Sequence, residues 1–284
     1  MVFMQITRSD GKTFTIDGKK WKLYNEIDGV ASVTTELTTT DLIGSSGSIL
    51  TSKRITSRDI TFSIAGRASN KKKLRSELIS FFNSYYTFTL HISYLDDVKR
   101  KITCELYNVV VPTRSVGNFV VGTITMLALN PYFKSENQYN VYMGLYTPKT
   151  GFPYVSKWGK GFNFGVISTV KSIQVINNGD VNAPYKIITK AKGKVVNPVI
   201  TQGNNAVKLI TTLNAGDVLT LDFETIPPKI DINGVNSIQL VERNSDFNNM
   251  YLNCGSTIFS YDADEGVEFM DSNIYYHELY LGVI

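Results

Sequence analysis

Apolar and polar residues alternate at a period of two along most of the chain. Ile60, Phe62 and Ile64 share one side of a segment whose other side carries Thr61 and Ser63. Phe88, Leu90, Ile92 and Tyr94 alternate with Thr89, His91 and Ser93, and Ile102, Cys104 and Leu106 alternate with Thr103 and Glu105. Further on, Val207, Leu209, Thr211 and Leu213 follow the same rule, as do Leu219, Leu221 and Phe223. Successive side chains of a strand point to opposite faces, so each run predicts a strand with one face in a core. The stretch Phe119–Leu129 is apolar on both faces and predicts a strand covered on both. Asn178-Gly179, between two strand-like runs, predicts a hairpin turn.

One segment has a different period. Leu74, Leu78, Phe81, Phe82 and Tyr85 fall on one stripe of a helix over about 70–85, with Ser69 or Asn70 able to cap its first turn. Lys71, Lys72 and Lys73 occupy that first turn, where the helix dipole disfavours cations. They read either as a solvated charged end or as a basic edge that meets an acidic neighbour in an assembly. Residues of about 34–57 are rich in Thr, Ser and Gly and are too long for a routine connection. Asp41, Leu42 and Ile43 on one side of the Gly-Ser tip, and Ile49 and Leu50 on the other, predict a two-stranded arm that lies on some other surface and is a candidate for subunit contact.

Composition places the chain among ordinary globular proteins: 284 residues, 43% hydrophobic and 19% charged. Residues 1–135 carry a net charge of +7 and residues 136–284 a net −3. The sign change supports a boundary after residue 134, giving domains of 1–134 and 135–284, the second entered through an irregular linker of about 135–172. Two isolated cysteines, Cys104 and Cys254, suggest free thiols made in a reducing cytoplasm. An N-terminal export signal and a membrane-spanning run are not expected, and no cofactor or metal is. The two histidines, His91 and His277, have no partner at ligand spacing. Asp262-Ala263-Asp264-Glu265-Gly266 comes near a calcium loop, but its glycine is out of register. Asp222 and Glu224 are carboxylates without a motif around them, so no enzyme activity is expected. Tyr154 and Trp158, in a Gly-rich aromatic segment, are candidates for contact with a sugar.

The order of these pieces resembles a known family. A strand-rich half with one helix closes on Leu127-Ala128-Leu129-Asn130-Pro131-Tyr132-Phe133. The second half opens with Ile173-x-Val175-x-Asn177-x-Gly179-Asp180 and Ala183-Pro184. It continues through Asn197-Pro198-Val199-Ile200 and Ala215-Gly216-Asp217-Val218-Leu219, and ends Tyr280-Leu281-Gly282-Val283. This is similar to the distal tail proteins of long-tailed bacteriophages that infect Gram-positive bacteria. A Pro-Gly-Asn often found late in that family is Asn253-Cys254-Gly255-Ser256-Thr257 here.

The resemblance implies a mainly β protein: an N-terminal β-barrel or sandwich with one α-helix, then a C-terminal jelly-roll, galectin-like β-sandwich. It implies a structural role at the virion tail tip, assembled in the host cytoplasm without a membrane. The chain itself would form a homohexameric ring, single or stacked in two, through which DNA passes without specific binding. Its partners would be the tail tube protein, the tail-tip hub protein and receptor-binding or baseplate proteins. The alternative is a carbohydrate-binding sandwich that adheres to a host cell-wall glycan.

Overall fold

The computed structural model describes residues 2–31, 33–44, 46–67, 70–94, 98–113, 119–143, 145–148, 165–168, 172–246 and 249–283. The first strands are β1 Val2–Arg8, β2 Thr13–Ile16, β3 Trp21–Leu23, β4 Thr35–Asp41, β5 Ser48–Ile55 and β6 Arg58–Arg67. Helix α1 Lys71–Phe81 follows, then β7 Thr87–Tyr94, β8 Val98–Val110, β9 Phe119–Ala128 and β10 Phe133–Ser135. Next come β11 Tyr139–Tyr142, β12 Leu145–Pro148, β13 Gly165–Ser168, β14 Ser172–Asn177, β15 Tyr185–Ala191, β16 Val195–Val196, β17 Val199–Gln202 and β18 Asn205–Lys208. The remainder are β19 Thr212–Leu213, β20 Val218–Asp222, β21 Lys229–Ile232, β22 Val235–Asn236, β23 Gly255–Asp262, β24 Met270–Tyr276 and β25 Leu279–Tyr280.

These form two units. The first comprises Met1–Glu136 and Leu279–Ile284, the second Asn137–Glu278. The charge pattern divides the chain after residue 134. The backbone divides it after Glu136 and returns the last residues to the first unit, so the second unit is an insertion between β10 and β25.

The first unit is a nearly closed, barrel-like antiparallel sheet in the order β2-β1-β7-β8-β9-β6-β3, with β10 beside β8 and β25 beside β10. Strand β8 pairs with β9 through Glu105–Val110 and with β10 through Arg100 and Lys101. Asn130-Pro131 is the break between those two partners, where proline cannot donate to the ladder. The alternating residues Ile60, Phe62, Ile64, Phe88, Leu90, Ile92, Ile102 and Cys104 are all buried in one core. Strand β9 is less symmetric than its sequence predicts. Val120, Ile124 and Met126 are buried, whereas Val121, Thr123, Thr125 and Leu127 are half-buried. On that outer face Ser63 and Thr61 hydrogen-bond to Thr123 and Thr125.

Helix α1 closes the core. Asn70 is the cap, its side-chain oxygen accepting from the Lys73 N–H at 3.0 Å. Leu74, Leu78 and Phe81 are buried, and Gly122 makes room for them: a Cβ there would lie 2.5 Å from Leu78 Cδ2. Phe14, Trp21, Phe81, Phe82 and Phe88 complete an aromatic cluster, with Phe14 and Phe81 centroids 5.1 Å apart. The helix stops at Phe81 rather than at residue 85, and Tyr85 is 92% exposed. Asn83 ends it, because its side chain accepts from the Tyr85 N–H and its carbonyl from the Tyr86 N–H. Arg8 then caps the end, donating to the Ser80 and Phe81 carbonyls at 3.1 Å. A cation at this end of a helix is favoured by the dipole.

Residues 279–283 are locked into the same unit. Leu279 pairs with Lys134 and Tyr280 with Phe133, and Leu279 and Val283 are buried. Buried Arg58 donates to the Gly29 carbonyl at 2.7 Å and to the Leu281 carbonyl, with its guanidinium over the Phe133 ring. Arg100 donates to the Gly282 carbonyl and lies over Tyr280. Asp17-Gly18 turns the chain from β2 to β3, but β3 pairs with β6; the hairpin partner of β2 is β1.

The second unit is a β-sandwich. One sheet runs β11-β24-β15-β20-β21-β22 and the other β14-β23-β17-β18. Tyr185 of the first meets Phe259 of the second edge to face at 5.1 Å, and its hydroxyl donates to Gln202 Oε1 at 2.7 Å. Burial pushes the Tyr185 phenol well above its ordinary range. Ile187, Leu219, Leu221 and Ile274 meet Val175, Ile200 and Val207 in the same core. Asn178-Gly179 does not form a hairpin. Strand β14 pairs with β23 and β15 with β20 and β24, so the turn carries the chain from one sheet to the other. Buried Glu278 accepts from both the Asn178 backbone N–H and its amide at 3.1 Å, which fixes that crossing. Within the expected linker, Tyr139–Tyr142 is a regular strand paired with β24.

Candidate assembly surface

The arm is a ribbon of its own. Strands β4 and β5 pair from Thr35↔Ile55 to Asp41↔Ser48, with a register shift at Thr38/Thr39, and form a sheet separate from the other described strands. The sequence explains the tip: Gly44 and Gly47 both take positive φ, +82° and +113°, which disfavours other residues there. Cross-strand contacts are polar, with the Thr40 and Thr51 hydroxyls 3.0 Å apart and Arg54 donating to Glu36 at 2.6 Å. Surface pairs of that kind contribute at most about 1 kcal/mol.

The apolar residues of the ribbon face solvent. Ile43 is fully exposed, Ile49 and Leu50 are more than half exposed, and Leu37 and Leu42 accompany them. Two-stranded ribbons are marginal in water by themselves. Asp41, Leu42, Ile43, Ile49 and Leu50 therefore come together as the sequence pattern anticipates. Lys71, Lys72 and Lys73 lie on a different element, the start of α1. There Lys72 and Lys73, with Asn70, Ser76, Glu77 and Ser80, border a shallow open surface, and Lys20 pairs with Glu77 at 2.5 Å. Tyr154 and Trp158 lie outside the described residues.

A second feature of the first unit has no local sequence signal. A groove of about 990 Å³ is lined by Phe3, Ile16, Leu23, Ile27, Val30 and Val283. Lys19, Lys22, Asp17 and Glu26 stand along it. Its walls come from β1, the β2–β3 turn, the segment leading to the arm and the returning tail, so only the fold assembles it.

The carboxylates weighed as chemical groups are tied to cations and amides. Asp222 pairs with Lys186 at 2.7 Å. Asp264 accepts from Asn197 at 2.7 Å and pairs with Lys208 at 3.0 Å; those bonds hold its carboxyl below the usual range. Among the described residues no group of three or more His, Cys, Asp or Glu could hold a metal ion, and no helix is long and apolar enough to cross a membrane.

Residues 178–280 match the family model described as siphovirus-type tail component, C-terminal domain. No curated protein sequence matches the chain. Among solved structures, the SPP1 Dit protein, described as a paradigm of the hub adsorption apparatus in phages infecting Gram-positive bacteria, aligns with a TM-score of 0.68 at 13% identity. The alignment covers 97% of this chain and 98% of that one. A chain of the phage p2 baseplate in its activated conformation with Sr aligns at a TM-score of 0.53 and 10% identity, with 98% of each chain covered. The likeness shows a shared fold running through both units.

Proposed function

We infer that this chain, whose residues 178–280 match a siphovirus-type tail component domain and whose full length has the fold of the SPP1 Dit protein, is a distal tail protein with a structural role in a phage tail or baseplate. The observation that carries this is the joint coverage: a family model on the second unit and a fold match over 97% of the chain.

The finer reading is a homohexameric ring. The first unit forms the wall, joining the tail tube to the tail-tip hub. The second unit offers a rigid sandwich to receptor-binding or baseplate proteins. A closed ring needs two different complementary faces on every copy. Uncovered apolar surface on the arm, the groove beside its base and the basic start of α1 all lie in the first unit, which supports giving that unit the ring contacts. Light scattering of the purified chain, with negative-stain images of the peak, tests this. A mass near six or twelve chains with a central hole supports the ring. A monomer, both alone and with its neighbouring tail proteins, contradicts it.

A further inference from the structure

The arm and the groove are each incomplete in one chain, and they are complementary. The arm ends in four exposed aliphatic side chains, Leu42, Ile43, Ile49 and Leu50. The groove is an apolar trough of about 990 Å³. Their charges also match. Asp41 is the one charged residue at the tip, and Lys53 stands on the stem opposite Leu37. Leu37 is four positions from Asp41 along β4, about 13 Å at the rise of a strand. Lys19 and Lys22, with Asp17 and Glu26, stand along the groove.

We propose that the arm tip of one copy seats in the groove of the next, with Leu42, Ile43, Ile49 and Leu50 against Leu23, Ile27 and Val30. In this arrangement Asp41 faces Lys19 and Lys22, and Lys53 faces Glu26. The occupant is a second copy of this chain. The groove lies beside the segment that leads into its own copy's arm, so each copy gives an arm and receives one in the same region. That is a head-to-tail contact, which closes into a ring if the rotation per copy divides a full turn. The burial replaces water around aliphatic side chains that no other described strand covers, the dominant favourable term in association. Because β4 and β5 are a separate ribbon, it can move as a body without breaking the barrel-like sheet.

This inference rests on the ring reading, and cross-linking separates the two. Two chains are co-expressed in a Cys254→Ser background, one carrying Ile43→Cys at the arm tip and the other Ala31→Cys at the groove; Cys104 is buried and stays in place. Mild oxidation should give a covalent dimer containing one chain of each kind, and neither chain alone should give it. Asp41→Lys should lower its yield at least severalfold, and adding Lys22→Glu should restore part of it. A multimer by light scattering that yields no mixed dimer overturns the groove assignment and leaves the ring reading standing. A monomer that yields none, both alone and with its neighbouring tail proteins, overturns both.

Discussion

The two units bury their cores equally well and differ in what they leave outside. In the second unit, two sheets face each other across Tyr185, Phe259 and Ile274, and the large exposed aliphatics include Ile226 and the diagonal neighbours Ile176 and Ile258 of β14 and β23. In the first unit one sheet nearly closes on itself around an aromatic cluster, and its exposed aliphatics include five on one ribbon, Leu37, Leu42, Ile43, Ile49 and Leu50, beside others such as Ile79, Val110 and Leu129 on other elements. Scattered surface aliphatics are normal for a soluble domain, whereas contiguous ones mark contacts. One chain thus couples a sandwich to a unit that carries an uncovered apolar ribbon. The returning tail sharpens the contrast, because it makes the second unit an insertion whose ends both belong to the first.

The largest effect expected on that contrast comes from the tail. A chain ending at Glu278 loses β25 and the buried Leu279 and Val283, each worth about 1.5–3 kcal/mol. It also removes the carbonyl acceptors of Arg58 and Arg100. Calorimetry should show the first unit's transition lowered by tens of degrees or lost, with the second unit's unchanged. Equal loss in both would mean the units are not independent. The converse change is Tyr185→Phe. It leaves buried Gln202 without its donor, costs about 1–3 kcal/mol, and should lower only the second unit's transition. The smallest effect is on acid sensitivity. The Arg8 guanidinium beside Asp10 holds its carboxyl at about 2, below the ordinary 3.8. Its contribution is complete above about pH 4 and is lost as pH falls towards 2. Asp10→Asn should therefore flatten the first unit's stability profile across that window, read by thermal melts at stepped pH.

Much of this division was legible in residue order. Period-two runs report which face of a strand is buried, and those at Ile60–Ile64, Phe88–Ile92 and Leu219–Phe223 do so faithfully. The stripe from Leu74 to Phe82 located the helix, and the Gly-Ser tip flanked by aliphatics located the arm. What the pattern could not carry was partnership. Asn178-Gly179 has the composition of a hairpin turn, yet its two strands enter different sheets, because Glu278, a hundred residues away, pins the turn. The helix ends early for a local polar reason, Asn83, that a hydrophobic stripe does not register. The groove needed residues 16–31 to meet Phe3, Ile92 and, from the returning tail, Val283, positions far from them in sequence.

In the ring proposed above, association resides in the first unit's arm. The solution mass of a chain in which residues 39–51 are replaced by Asn-Gly tests this, because the two-residue turn joins the native pair Thr38↔Ser52 and keeps the register of the stem. A folded monomer, with both melting transitions unchanged, is expected where the full chain is a ring. Rings of undiminished mass from the shortened chain would contradict it.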